Sequence, residues 1–122
     1  MAQRVGDPSF VVATDPAIDD EVFVARLDGH AVGCGAMTRS APATVDIDLL
    51  WVAPHVRGRG VGRVILERLR DDARRLGCRQ LRIATNRALD DVIGRVRSFG
   101  FVEVPPFPAA GDPDHWFALD LD

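Results

Sequence analysis

The segment between residues 47 and 76 constrains the fold of this chain more than any other part. An apolar run ends at Pro54, a glycine-rich loop follows, and a helical pattern begins at Val61. The loop contains Gly58, Gly60 and Gly62 together with Arg57, Arg59 and Arg63. Small residues let backbone N–H groups approach an anion closely, and a helix N-terminus adds partial positive charge. A strand, a glycine loop with arginines and a helix, in this order, therefore predict a site for a phosphate or pyrophosphate.

Two common phosphate-binding motifs do not fit this loop. The dinucleotide fingerprint G-x-G-x-x-G fails because Arg63 stands where the third glycine should be. The nucleotide-triphosphate loop requires a lysine after its last glycine, and the chain contains no lysine. Residues 57–62 instead match the pattern R/Q-x-x-G-x-G/A. They resemble the GNAT superfamily of acyl-CoA-dependent N-acetyltransferases, in which this loop cradles the pyrophosphate of coenzyme A. The alternative is a turn rich in glycine and arginine whose charges are solvated.

Length and composition limit the classes of function. A chain of 122 residues is expected to form a single domain, residues 1–122. Its formal net charge of −3 argues against nucleic acid as a partner. The absence of a membrane-length apolar run or a signal-peptide pattern argues against a membrane. Cys34 and Cys78 lack metal-type spacing and the three histidines are scattered, so we expect no metal. Two cysteines favour a reduced, cytoplasmic setting, with a disulfide between them as the alternative.

Hydrophobic periodicity and glycine boundaries divide the chain into seven strands and two helices. The Asp28-Gly29 dipeptide predicts a two-residue hairpin turn between the second and third strands. Residues 15–20 and 39–44 are expected to be connectors. Strands are expected at 10–13, 21–27, 30–37, 45–52, 80–85, 101–104 and 115–121, and helices at 60–76 and 90–99. This order predicts an α/β fold with a mixed sheet.

A second part of the sequence supports the same resemblance. One subgroup of small GNAT enzymes pairs an L-E-T-G strand end with an A-I-x-L-Y-x-x-x-G-F helix. Residues 83–86 occupy the first of these elements, and residues 92–96 with Gly100-Phe101 occupy the second. The resemblance extends over residues 21–122 and implies a GNAT-like acyl-CoA N-acyltransferase core.

The resemblance also implies a shortened N-terminal part. Family members usually carry two helices between the first strand and the hairpin, where these helices wall the acceptor pocket. Here only residues 14–20 separate the two strands, which is too short for an amphipathic helix. The acceptor side is therefore expected to be open, so that it admits a small-molecule amine or an exposed protein amine. We expect a homodimer, in which a second copy of the chain completes this side and covers the apolar surface that the missing helices leave exposed.

Use of acetyl-CoA by the family implies a set of cofactor contacts. The backbone of the strand before the loop pairs with the pantetheine arm, and one of its N–H groups stabilises the oxyanion. The residues assigned to acetyl-CoA in this way are Leu50, Trp51, Val52, Arg57, Gly58, Arg59, Gly60, Val61, Gly62, Arg63 and Asn86. For Asn86, capping of the second helix is the alternative.

Two carboxylates are candidates for the general base. The usual base of the family is a glutamate on the strand before the loop, and the matching position is Asp46, with Asp48 two residues later. Strand alternation predicts that both share a face with Leu50 and Val52. Carboxylates near an apolar site would attract a cationic amine and take its proton directly or through water. The alternative is a pair of acids that only face water.

The sequence departs from the family at the group that protonates the leaving thiolate. The helix tyrosine of the subgroup corresponds to Val96, and the chain contains no tyrosine. Such an acid typically contributes about 100- to 10,000-fold to the rate, and Ser98 on the same helix points elsewhere. Two functions remain. One is an N-acetyltransferase that acts on a primary amine by direct attack in a ternary complex. The other is a catalytically weak acyl-CoA-binding sensor or regulatory module.

Overall fold

Seven strands form one mixed sheet in the computed structural model, which describes residues 10–15, 19–86 and 90–121. The strands are β1 (Phe10–Asp15), β2 (Asp19–Leu27), β3 (His30–Ala41), β4 (Thr44–Val52), β5 (Gln80–Thr85), β6 (Val102–Glu103) and β7 (His115–Asp120). The helices are α1 (Val61–Arg75) and α2 (Asp90–Phe99). The strand order is β1-β2-β3-β4-β5-β7-β6, and β4 with β5 is the parallel pair among otherwise antiparallel neighbours. The mixed α/β prediction is confirmed.

The connector expected at residues 39–44 is wrong. β3 continues to Ala41 and β4 begins at Thr44, and the ladder between them still pairs Arg39 with Val45. An antiparallel neighbour offers backbone hydrogen bonds whatever the side chains are, so pairing overrides the polar composition of this stretch. The first connector is also shorter than expected, because β1 extends to Asp15 and β2 begins at Asp19. The remainder of that prediction, residues 16–18, lies outside the described residues.

Both helices lie on the same face of the sheet. The apolar stripe of α1 is buried against β3, where glycine allows a close approach: a Cβ on Gly35 would lie 2.7 Å from Ile65. α2 lies beside α1, and its Val96 is buried in the same core. The guanidinium of Arg97 lies 5.1 Å from the ring centre of Phe117, a β7 residue paired with β5 on this face. This helix-side layer holds the hydrophobic core.

Among the described residues, no helix covers the opposite face, which we call the helix-free face. Over β5 and β7 this face is covered by the proline-rich loop of residues 104–114, whose Phe107 carbonyl accepts a hydrogen bond from Trp116 Nε1 at 3.1 Å. Over β4 it exposes large apolar side chains, with Leu49 44% and Trp51 45% exposed. The helix side of the described sheet is therefore covered by α1 and α2, whereas the helix-free face is open to solvent over β4.

Candidate active site

The two parallel strands separate at their carboxyl ends. Pairing of β4 with β5 ends at Ile47 and Ile83. β4 nevertheless continues to Val52 and β5 to Thr85, while the other edge of β4 stays paired with β3. The backbone of residues 50–52 therefore borders a gap between β4 and β5. An extended ligand chain could add to β4 in such a gap as a further strand would.

The glycine loop meets this gap at the amino end of α1. A short 3₁₀ turn at Pro54–Val56 follows β4, and Gly58 and Gly60 have φ values of 83° and 85°. Gly60 is the N-cap of α1 and supplies no side-chain hydrogen bond to the first amides of the helix. Those amides need partners, and an anion is the partner that the helix dipole favours. The loop therefore fits the diphosphate expected from the sequence.

The three loop arginines differ in how firmly they are held. Arg57 donates from Nε to the carbonyl of Val52 at 3.4 Å. Arg63 lies 3.6 Å from the carboxylate of Glu67 and 5.5 Å from the ring centre of Phe99. Arg59 is exposed beside Gly60. Positive charge is thus available at the loop, with Arg59 the least constrained of the three.

Asp46 is held by an arginine that the sequence analysis did not single out. Nε and Nη2 of Arg82 donate to the two oxygens of Asp46 at 2.7 and 3.0 Å, and both side chains are 20% exposed. Asp46 and Arg82 lie opposite each other in the register of β4 and β5. A polar residue between the apolar Leu81 and Ile83 was the available signal, but its partner depends on the register of a parallel pair, which sequence does not give.

A β-bulge separates the faces that alternation was expected to keep together. Ala36 pairs with Leu49 and Met37 pairs with Ile47, so Asp48 has no opposite residue on β3. The extra residue reverses the alternation, and Leu50 now shares the helix side with Ile47. The expectation that Asp46 and Asp48 share a face with Leu50 and Val52 is therefore wrong. The carboxylates lie on the helix-free face.

Asp48 is more accessible than Asp46. It is exposed, and its Oδ2 accepts a short hydrogen bond from the hydroxyl of Thr38 on β3. Both carboxylates line a cavity of about 220 Å³ beside the point where β4 and β5 part. Its other lining residues are Ile47, Ala84, Phe107, Pro108, Ala109 and Ala110. The cavity combines negative charge with a small apolar wall, which suits an ammonium group attached to a short carbon chain.

The loop wall of this cavity is fixed by a stacked cation. The guanidinium of Arg82 lies 3.8 Å from the ring centre of Phe107, so the same side chain holds Asp46 and supports the loop. A larger cavity of about 400 Å³ lies at the other end of α1, near Phe23 and Leu76. It is remote from the glycine loop and takes no part in the site.

Polar groups also gather at the carboxyl end of β5 on the helix side. His115 pairs with Thr85, and its Nδ1 donates to Oε2 of Glu103 at 2.8 Å. That hydrogen bond, with further help from Arg97, holds the pKa of Glu103 below its usual value of 4.5. Asn86 follows directly and is half-buried. The described part of α2 begins at Asp90 and the residues between lie outside the described ranges, so capping of this helix by Asn86 stays an alternative.

The thiol of Cys34 lies on the helix-free face, opposite Trp51 in the β3–β4 register. Burial raises the pKa of this thiol above 9.0, which lowers its thiolate fraction at neutral pH. Cys78 is buried, and both cysteines are free. The alternative of a disulfide between them is excluded in this structure.

Two further features concern the described ranges only. They contain no group of three or more His, Cys, Asp or Glu residues arranged to hold a metal ion. They also contain no helix of the length and apolarity needed to cross a membrane.

Comparison with known proteins agrees with this geometry. The pattern of the Acetyltransferase (GNAT) family matches residues 6–101. An IAA acetyltransferase of Azospirillum brasilense is 35% identical over 97 residues, which cover 78% of this chain and 63% of that protein. The yncA protein of Salmonella typhimurium, assigned as an acetyltransferase and solved with its cofactor acetyl-CoA, is 26% identical with a TM-score of 0.70. That match covers 83% of this chain and 64% of yncA.

A protein of Klebsiella pneumoniae assigned as an acyl-CoA N-acyltransferase matches over 98% of this chain and 82% of its own. It has 25% identity and a TM-score of 0.73. The chain thus spans less than two thirds of the length of the first two relatives.

Proposed function

Because the chain belongs to the GNAT acetyltransferase family, we propose that it transfers an acetyl group from acetyl-CoA to a primary amine by direct attack in a ternary complex. The observation that carries this proposal is the gap between β4 and β5. The glycine loop lies at one end of this gap, and the carboxylate cavity lies beside it on the helix-free face. Donor and acceptor would approach the reacting carbonyl from different sides.

The chain has groups that could bind acetyl-CoA and stabilise the attack of the amine. Acetyl-CoA, when bound, supplies an acyl group already activated as a thioester. The amides at the start of α1 and the arginines of the loop would hold the diphosphate, with Asn86 nearby. The backbone of residues 50–52 would orient the arm and donate an N–H to the oxygen that becomes negative during attack.

We assign removal of the amine proton to Asp48, ahead of Asp46. Both oxygens of Asp46 already accept hydrogen bonds from Arg82, so Asp46 could take the amine proton only by giving up one of these contacts. Asp48 has no arginine partner of this kind in the described structure and borders the same cavity. Asp46 would then position Arg82 and add negative potential that favours a cationic amine.

The decisive experiment is a thiol-release assay. Purified protein, acetyl-CoA and a panel of primary amines, from short alkylamines to peptides with a free N-terminus, are incubated with a thiol reagent. The proposal expects amine-dependent release of coenzyme A, with short amines favoured by the cavity of about 220 Å³. A thermal-shift screen should show stabilisation by acetyl-CoA above that by nucleotides, since a ligand that binds only the folded state raises its stability. No release with any amine would reject the enzyme proposal.

The second candidate function is a weakly catalytic acyl-CoA sensor. The specific observation in its favour is Val96, which is fully buried at the position of the subgroup's tyrosine acid. Tight binding of acetyl-CoA without thiol release from any amine would support the sensor. Retained binding with activity lost on replacing Asp48 would support the enzyme, because a binding module has no need of that carboxylate.

A further inference from the structure

Thr85 carries a buried hydroxyl that forms no hydrogen bond with any described residue. The residue is 6% exposed and is the buried polar side chain of the described core. Leaving a buried hydroxyl without a hydrogen bond destabilises a fold, and native proteins satisfy nearly all such groups. The two other unpaired buried atoms, on Arg68 and Asp72, belong to an ion pair 3.6 Å apart. Among the described residues, no such ion pair accounts for the unpaired hydroxyl of Thr85.

The strand places this hydroxyl at the gap between β4 and β5. Ile83 is the last β5 residue paired with β4, and Thr85 follows two residues later on the same helix-side face. Its cross-strand neighbour is His115, whose imidazole is engaged by Glu103 at 2.8 Å. The second ring nitrogen, Nε2, lies 3.8 Å from a carboxylate oxygen of Asp114. Neither nitrogen pairs with the Thr85 hydroxyl, which is left for a group that enters the gap.

The tyrosine that protonates the leaving thiolate in the subgroup would lie on the same side of the sheet, at the position of Val96. Val96 on α2 is apolar and fully buried, so it cannot donate a hydrogen bond to a leaving group. Ser98 is exposed on the same helix. At the end of β5, by contrast, Thr85 carries a hydroxyl that is buried and lies on the helix side.

Resting on the proposed function, we propose that the Thr85 hydroxyl donates a hydrogen bond to the coenzyme A sulfur and stabilises its charge as the carbon–sulfur bond breaks. The amine nitrogen forms the new carbon–nitrogen bond, and the electron pair of the carbon–sulfur bond moves to sulfur. Thr85 keeps its proton throughout. The amine loses its proton to Asp48 on the helix-free face, and water supplies the proton taken up by the released thiolate. Thr85 would thus replace part of the tyrosine's contribution without acting as an acid.

The test uses two variants of Thr85 and one control. Thr85→Val removes the hydroxyl with little change of shape, Thr85→Ser keeps it, and Ser98→Ala removes an exposed hydroxyl from α2. A hydrogen bond to a charged group contributes about 1.5–3 kcal/mol. We therefore expect Thr85→Val to lower kcat by about 10- to 100-fold, while Thr85→Ser and Ser98→Ala stay within about threefold of wild type. Thr85→Val should melt no lower than wild type, because it removes an unpaired buried group.

A binding measurement tests the same contact without turnover. By calorimetry, the wild-type protein should bind coenzyme A more tightly than desulfo-coenzyme A, and the difference should grow as rising pH forms the thiolate. Thr85→Val should lose that difference while its affinity for desulfo-coenzyme A stays unchanged. If this variant does not fold, Thr85→Ala provides the same comparison.

The outcomes separate this inference from the proposed function. Normal turnover by Thr85→Val, with the preference for coenzyme A kept, overturns the role of Thr85 and leaves the acetyltransferase proposal standing. A wild-type protein that transfers no acetyl group overturns the enzyme proposal. The comparison of coenzyme A with desulfo-coenzyme A then still tests whether Thr85 contacts the sulfur. Failure to bind coenzyme A in any form overturns both.

Discussion

One extra residue in β4 determines where the carboxylates of the site lie. Simple alternation places Asp46, Asp48 and Leu50 on one face, and the bulge at Asp48 moves the carboxylates to the helix-free face. The pattern of apolar and polar residues does not reveal this bulge, since residues 49–52 are all apolar and would suit either face. The sequence therefore identified the candidate residues, whereas their orientation and the partner Arg82 came from pairing between strands.

The two carboxylates should differ when each is replaced by its amide. Asp48→Asn should lower kcat by about 100-fold or more, because a general base contributes about 10²–10⁴. Asp46→Asn should mainly destabilise the fold, since Arg82 would lose the charge that it faces at 2.7 Å. Steady-state kinetics and thermal melts of both variants separate these effects. A larger loss of kcat in Asp46→Asn than in Asp48→Asn would reverse the assignment.

Direct transfer predicts that Cys34 is dispensable. Burial raises the pKa of its thiol above 9.0, so the fraction of thiolate at pH 7 is lower than for a free cysteine and rises only in strongly alkaline solution. Cys34→Ala should keep kcat within about threefold of wild type. A labelled acetyl group should not remain on the protein after acetyl-CoA is removed. Stable acetylation that disappears in Cys34→Ala would instead establish a covalent route.

At the scale of elements, the sequence was most informative where periodicity and glycine coincide. The expected bounds of β5 and α2 agree with the structure, and those of α1 differ by one residue at each end. The Asp28-Gly29 turn is present, with both residues at positive φ. Errors occurred where pairing outweighs composition, at the β3–β4 turn and at β6, which is reduced to Val102–Glu103. Local preferences set the helices and tertiary pairing sets the strand ends.

The loop at the start of α1 should bind coenzyme A through charge as well as through backbone amides. Arg59→Gln should weaken binding by about threefold, the effect of one exposed ionic contact, and the loss should shrink as salt concentration rises. Arg74→Gln is the matched control, because this arginine lies in the last turn of the same helix. Calorimetric titrations of both variants with coenzyme A, at low and at high salt, measure these changes in affinity. Equal losses in the two variants would mean that the anion is not held at the loop.

The whole molecule has an asymmetric build, with both helices on one face and the carboxylate cavity on the other. The length of the chain and the order of its predicted elements indicated one α/β domain. They did not indicate which face of the described sheet lacks helices, because that depends on the handedness of two crossovers and on register. Leu49 and Trp51 are large, apolar and exposed on this face, next to Asp48. Exposed apolar surface of this kind is typical of an interaction site.

We expect this face to join two copies of the chain, which would also exclude water from the carboxylate cavity. Light scattering after size-exclusion chromatography should give a mass twice that of the chain. Leu49→Glu should lower the measured mass to that of one chain, because a charge buried at a two-fold interface lacks a partner. Leu76→Glu provides the control, since Leu76 is also exposed, at 55%, but follows α1 on the helix side. A monomeric wild type, or a dimer that only Leu76→Glu disrupts, would place the contact elsewhere and leave the cavity open to larger amines.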